Sequence, residues 1–367
     1  MIGEGGKQMD KIVFGIIGGG WRAEFYLRIA KELPEQFEVS RIFVRDEKKA
    51  RAMERQWNVR TVSHLDEFVN QMDYAFVVLS VIWEANPELI IQLSNLDIPI
   101  LAETPPAPDV DGLIRLYKSV PRNAKIEIAE QYLFQPMHAA RIALSRSGKL
   151  GDISQVQISA AHGYHGISLI RNYLGIGYED ARITGQKFVS PIIQGPDRQG
   201  IPRYEERKDS IQQLLTLQFA DKLAVFDFTG DQYFSWIRKN RVLVRGDRGE
   251  IMNQEVSYLE DYKTPVFHEL RRVDTGHNGN LEGYYHRGIQ LGGEWLYQNQ
   301  FIPGRLSDDE IAIATCLYKM GLYVADKGNS FYSLAEASQD QYLSILMKEA
   351  VETGQIVNSV GQPWSSG

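Results

Sequence analysis

Three short stretches carry residues able to do chemistry. In "AAHGYHG", two histidines and a tyrosine fall together as His162, Tyr164 and His165. An imidazole titrates near neutrality, so it can take a proton from a hydroxyl or return one. The flanking His162 and Tyr164 can share that task or hold substrate hydroxyls. His-x-x-His also suits a metal on a helix. Here the pair sits at a strand exit without an evident third ligand, and no metal is expected. In "IPILAETPPAPDVDG" an apolar run ends in Glu103 and Thr104, and two prolines follow. Pro105 and Pro106 fix the backbone and push Thr104 away from helical geometry, so both polar side chains are held at a strand end.

The third stretch is "VFGIIGGGWRAEFY", which supplies Gly18-x-Gly20-x-x-Ala23 between an apolar strand and an amphipathic helix. Gly18 permits the tight turn, Gly20 lets backbone approach a diphosphate, and Ala23 lets the helix pack on the strand. Trp21 and Arg22 complete the loop at a helix tip whose free N–H groups favour an anion. The spacing therefore predicts a bound dinucleotide, NAD or NADP. The next strand should end in an acid for the ribose, yet "FVRDEKK" places Val44 and Arg45 there. An arginine at that point can hold a 2′-phosphate or lie on the adenine ring.

These residues need a frame. From Lys11 to Glu130, apolar strands alternate with amphipathic helices: "KIVFGII", "FEVSRIFVR", "YAFVVLS", "IPILAE" and "AKIEIAE" are the strands. That rhythm predicts a Rossmann-type doubly wound parallel sheet, and strand ends in such a sheet line the ligand crevice. Ser63 with Asp66 reads as a helix start between two of these strands. After a linking helix near 136–148 the pattern changes to period two, which predicts a large, mostly antiparallel open sheet. Ser190–Asp209, rich in Pro, Gly and charge, reads as a long loop in which Arg203, Tyr204 and Arg207 could reach an anion. Ser307 with Glu310, and Ser333 with Glu336, are capping boxes ahead of two final helices. The fold class is thus α/β with a second α+β domain, divided as 1–130 and 131–367.

Composition narrows the partners. The chain has 367 residues and a formal charge of −7, which argues against nucleic-acid or anionic-membrane partners. The longest apolar run, Tyr74–Trp83, is too short to span a bilayer. Residues 1–8 carry no pattern, and the glycines after the first strand argue against a signal peptide. Cys316 is the only cysteine, so no internal disulfide forms and a cytoplasmic setting is expected.

Together these motifs resemble the Gfo/Idh/MocA oxidoreductases, the glucose–fructose oxidoreductase and inositol dehydrogenase group. The likeness runs from "GIIGGGWRA" through "ILAETPPAP", "AEQYLFQPMHAARIALSRSGKLGDI" and "HGISLIRNYLG" to "VRGDRGEI". It implies NAD(P)-dependent hydride transfer at a carbon of a sugar, polyol or related compound, in a cleft between the domains. It also implies a homodimer or homotetramer joined through the second sheet. By position Glu103 and Thr104 would contact the cofactor, and Gln131, Tyr132, His162, Tyr164, Ser168 and Arg171 the substrate. His165 would shuttle the proton, with Thr104 beside it. Two positions depart from the family pattern. Thr104 stands where a lysine belongs and Ser168 where an aspartate belongs, so neither usual charge is present. Two alternatives follow: a nucleotide-dependent glycosidase on the same scaffold, or a non-catalytic relative that only binds the cofactor. "HNGNLEGYYHRG" (His277–Gly288) adds polar groups suited to a hydroxylated ligand.

Overall fold

The computed structural model describes residues 11–276 and 283–366. Six strands form the first sheet: β1 (Ile12–Ile17), β2 (Phe37–Phe43), β3 (Thr61–Val62), β4 (Phe76–Leu79), β5 (Ile100–Ala102) and β6 (Ile126–Ile128). All pairs are parallel, in the order β3-β2-β1-β4-β5-β6. The order reverses between β1 and β4, and the crevice outside their carboxyl ends is where such sheets take ligands. Five helices connect these strands: α1 (Ala23–Glu32), α2 (Glu47–Trp57), α3 (Leu65–Asn70), α4 (Asn86–Ser94) and α5 (Val110–Ser119).

Both faces of the sheet are covered, so alternate strand residues enter different cores. Phe14, Ile16, Phe76, Val78 and Leu101 pack with α1, while Val77, Leu79, Ile100 and Ala102 pack against the α4–α5 face. The first of these cores is closed from far along the chain. Helix α6 (Pro136–Arg146) links the halves, α7 (Gly163–Leu174) follows, and α8 (Asp308–Val324) returns to lie against α1, β1 and β4. Ile311, Ile313, Cys316, Leu317 and Met320 of α8 are buried there with Ile12 and Phe14. The approach is close: a Cβ on Gly321 would stand 2.6 Å from the Ile12 side chain. Cys316 is thus a small core residue.

The second sheet has eleven strands, in the order β16-β15-β14-β13-β12-β11-β7-β10-β9-β8-β17. They are β7 (Ile153–Ser159), β8 (Arg182–Ile193), β9 (Arg207–Phe219), β10 (Lys222–Thr229), β11 (Arg241–Gly246) and β12 (Gly249–Met252). Then come β13 (Glu255–Asp261), β14 (Thr264–Thr275), β15 (Tyr285–Leu291), β16 (Glu294–Gln298) and β17 (Val357–Asn358). Only β7 and β10 pair in parallel; the other pairs are antiparallel. Helices α7 and α9 (Leu334–Thr353) back the sheet.

Both expected capping boxes are present: Ser307 with Glu310 opens α8, and Ser333 with Glu336 opens α9. One local expectation needs correction. Helix α3 is capped by His64 with no side-chain bond, so Ser63 and Asp66 form no capping pair. The stretch 190–209 is a loop over 194–206, as expected, and only its ends are strand, where Pro191 pairs with Asp209 and Ile193 with Arg207. Arg203 and Tyr204 are exposed in the loop, and Arg207 is exposed at the start of β9. The loop reaches the segment after β1, where the Arg198 guanidinium lies 4.0 Å from the Trp21 ring centroid. Of the polar stretch 277–288, residues 277–282 lie outside the described residues; His286 is buried with Nδ1 3.0 Å from Asp274.

Candidate functional site

The glycine loop follows β1 directly. Gly18 has φ +111°, and a Cβ there would stand 2.0 Å from the Ser80 carbonyl oxygen. Only glycine allows both that backbone angle and that approach. A Cβ on Gly20 would meet nothing within 4 Å, so space opens beside the loop at the tip of α1. Arg22 at that tip donates from Nε to Glu103 at 2.8 Å, and its Nη2 is buried without a partner. A glycine turn against β4, open space and an unspent cationic donor fit the diphosphate of a dinucleotide. Gly18, Gly20, Trp21, Arg22 and Ala23 would hold it. Arg45 is exposed just past β2.

Glu103 and Thr104 leave β5 as the sequence predicts. The Glu103 carboxylate accepts from Arg22 and, at 2.5 Å, from the Tyr26 hydroxyl. Burial works against the Arg22 charge, but Glu103 and Tyr26 outweigh it and raise the arginine pKa. The backbone is secured from the other side by Asn86, whose side-chain amide donates to the carbonyls of Glu103 (3.0 Å) and Pro105 (3.1 Å). The Thr104–Pro105 peptide is cis.

Helix α7 delivers the second group. His162 precedes its first residue, and Tyr164 and His165 occupy its first turn. The His165 ring is buried, with ring centroids of Tyr132 and Tyr164 each 4.4 Å away and His162 at 5.0 Å. Tyr164 reaches back to the Thr104 side chain, and its ring is edge-on to Trp83 at 6.3 Å. The Tyr233 hydroxyl accepts from the His162 backbone N–H at 3.0 Å, which leaves its own proton for His162 Nδ1 at 2.5 Å. Burial, then the neighbouring His165, push His162 down to about 3.

Glu130 is the residue that sequence reasoning missed. It lies just past β6 with 1% exposure, and its Oε2 meets His165 Nδ1 at 2.6 Å. Its Oε1 accepts from the Tyr132 backbone N–H at 3.1 Å. Burial pushes Glu130 up to about 8, and burial together with Arg22 pushes His165 down to about 3. Asp309, in the first turn of α8, also faces this cluster; its carboxylate accepts from Gln135 at 2.6 Å. The signal was visible in one respect: "AKIEIAE", like "IPILAE", ends a strand in an acid.

Thr104, Tyr132, His162, Tyr164 and His165 are therefore brought together. Gln131 is buried beside them, with Oε1 unpartnered. Ser168 and Arg171 are not part of this group, which corrects their assignment to the substrate. Ser168 is fully buried and accepts from the Tyr332 hydroxyl at 3.0 Å. That hydroxyl also bonds Asp340. Arg171 donates to Asp340 at 2.6 Å and to the carbonyls of Gly177 and Glu336. Both side chains are committed to joining α7 to α9.

Residues 12–131 match the family model described as "Oxidoreductase family, NAD-binding Rossmann fold", GFO_IDH_MocA. No curated protein matches the sequence. Among solved structures, levoglucosan dehydrogenase in complex with NADH and levoglucosan aligns with a TM-score of 0.68 at 17% identity, over 95% of this chain and 99% of that one. A myo-inositol dehydrogenase from Corynebacterium glutamicum aligns with a TM-score of 0.62 at 15% identity, over 96% and 99%. An Agrobacterium radiobacter oxidoreductase in complex with NAD+, L-tartaric acid and magnesium aligns with a TM-score of 0.65 at 15% identity, over 95% and 98%. At these identities the likeness is one of fold. Residues 12–131 thus match the Gfo/Idh/MocA NAD-binding Rossmann model, and the chain as a whole shares the fold of these solved dehydrogenases.

Proposed function

We propose that this chain is an NAD-dependent oxidoreductase acting at a carbinol or carbonyl carbon of a sugar, polyol or similar hydroxylated molecule. One observation carries the reading. His165, with Nδ1 held by Glu130, stands with Tyr164 and Thr104 at the end of β5, next to a glycine loop shaped for a diphosphate. When bound, the nicotinamide supplies the place a hydride goes to or comes from. The chain's own residues handle the oxygen. With Nδ1 engaged, Nε2 is the His165 nitrogen available to a substrate hydroxyl, and Thr104 and Tyr164 are placed to hold its oxygen. No lysine is needed to move that proton, which is how a site with Thr104 in the lysine position can remain redox-competent. The family model and the neighbours solved with NAD or NADH support NAD as the cofactor.

Calorimetry with NAD and NADP tests the cofactor, and a polyol and sugar panel read at the reduced-nicotinamide absorbance tests the reaction. Binding of NAD and a substrate-dependent signal that His165→Ala abolishes are expected. Binding without any signal across the panel, or product release with no net reduction, would replace this reading by one of the two alternatives. If Arg45 holds a 2′-phosphate, Arg45→Ala weakens NADP more than NAD.

A homo-oligomer through the second sheet belongs to the same reading. Exposed Val189, Ile211, Leu259 and Phe267 on that sheet support it. Light scattering of the wild type and of Phe267→Lys tests it.

A further inference from the structure

The proton chemistry of this site can be read more closely, resting on the oxidoreductase reading only for its final step. The facts are geometric. Glu130 and His165 meet at 2.6 Å, both nearly without solvent exposure. Both Glu130 oxygens are engaged, one by His165 and one by the Tyr132 N–H. Among the described residues no arginine or lysine forms an ion pair with Glu130. The His165 ring is walled by Tyr132, Tyr164 and His162. Arg22 from the glycine loop and Glu103 from the β5 exit act electrostatically on both groups, and Asp309 from α8 acts on His165. Tyr233, Tyr332, Asp340 and Cys316 also feel the Glu130 charge.

We propose that Glu130 and His165 form one proton store, in which a protonated Glu130 carboxyl faces Nδ1 and Glu130, as a positioning residue, decides when His165 Nε2 can give or take a proton. A buried pair without a paired cation is most stable when its net charge is zero. Burial raises the Glu130 pKa and lowers that of His165, so the enclosure of the pair favours the uncharged form of each group. In the neutral pair Glu130 carries a carboxyl proton toward Nδ1, and Nε2 carries the ring proton.

In the reducing direction Nε2–H would give its proton to the oxygen of a carbonyl whose carbon takes the hydride that a bound reduced nicotinamide would supply. The Glu130 carboxyl proton moves to Nδ1. The products are an alcohol, an oxidised nicotinamide, a Glu130 carboxylate and an imidazole that is neutral before and after. The Glu130 carboxylate left behind would oppose the positive charge that oxidation would leave on a bound nicotinamide. Oxidation is the reverse and needs the carboxylate form, which accumulates as pH rises through about 8. The imidazole never has to become a cation, so its burial does not oppose its work.

Infrared difference spectra of the full-length protein, without nucleotide or substrate, test the store directly. A protonated-carboxyl C=O band should be present at neutral pH, disappear with a midpoint well above the ordinary carboxylate range, and be missing from Glu130→Gln. Absence of that band, or a midpoint in the ordinary carboxylate range, overturns the proposal. Should Glu130→Gln fail to fold, His165→Gln keeps the carboxyl but removes Nδ1, and the midpoint must move by about one pH unit or more. An unmoved midpoint overturns it as well. This experiment stands whether or not the redox reading does. Where a substrate is found, Glu130→Gln should lower turnover by about 10²-fold or more and erase the limb near pH 8, while Glu130→Asp keeps the limb.

Discussion

Arg22 and Glu103 meet at 2.8 Å across 81 positions of sequence, and the contact ties the tip of α1 to the end of β5. Tyr26 adds a second donor to the same carboxylate oxygen. The two loops that bound the crevice are therefore one mechanical unit, held by a nearly buried ion pair with side-chain exposures of 13% and 12%.

Breaking that pair from one side should be costly. Glu103→Gln leaves the Arg22 charge buried without a counter-charge, and the expected loss is about 3–5 kcal/mol in urea unfolding. A loss below about 1 kcal/mol would show that water reaches the guanidinium freely. Arg22→Met should in addition weaken NAD binding by calorimetry, because it removes the unspent Nη2 donor.

Restoring the two family residues should have opposite outcomes. Thr104 is half-buried at the crevice, so Thr104→Lys should change stability by less than about 1 kcal/mol. Ser168 is fully buried and shares the Tyr332 hydroxyl with Asp340. Ser168→Asp would place a second carboxylate beside the first, and the expected loss is about 3 kcal/mol or more by thermal unfolding. Equal effects of the two changes would contradict the separation of Ser168 from the crevice.

Acid should unfold the protein partly through its histidines. His138 is buried against the Tyr173 hydroxyl at 2.9 Å, and burial, then Arg141, push it down to about 3. A histidine neutral in the fold binds its proton only when unfolded over the interval between about 3 and its ordinary 6.5. The unfolded state then holds more protons, so stability falls as pH drops through that window. His138→Gln should flatten part of this fall, measured as Tm against pH. Glu130 acts with the opposite sign. Its raised pKa gives the folded state more protons between about 4.5 and 8, so its contribution declines as pH rises.

The contact of Arg198 with Trp21 gives an optical handle on the crevice. Arg198→Ala should shift Trp21 fluorescence while costing less than about 1 kcal/mol of global stability. An unchanged spectrum would mean that the hairpin tip does not rest on the glycine loop in solution.

The sequence announced those parts of the site whose physics is local. Gly18, Gly20 and Ala23 follow from what a tight turn and a close helix require, and the two serine–glutamate boxes from what orphan N–H groups require. What it concealed depends on which neighbour a side chain meets. Glu130 ends a strand just as Glu103 does, and only folding shows that one acid meets an arginine and the other a histidine. Asp309 reads as part of an acidic first helical turn. Ser168 and Arg171 follow His165 at helical spacing, yet that stripe is wide enough to serve the crevice at one end and α9 at the other. The long loop was legible from its Pro and Gly over 194–206, and only its two ends turned out to belong to β8 and β9.

Helix α8 has a consequence for synthesis. The core beneath β1 is completed by residues between Ile311 and Met320, so the nucleotide-binding half cannot reach its final state while the ribosome is still adding the second sheet. A fragment cut after Glu130 would expose Phe14, Tyr26 and Phe76 to water and should need a chaperone or a supplied α8 peptide to stay dispersed. The two halves are therefore separable on paper but are born as one cooperative object.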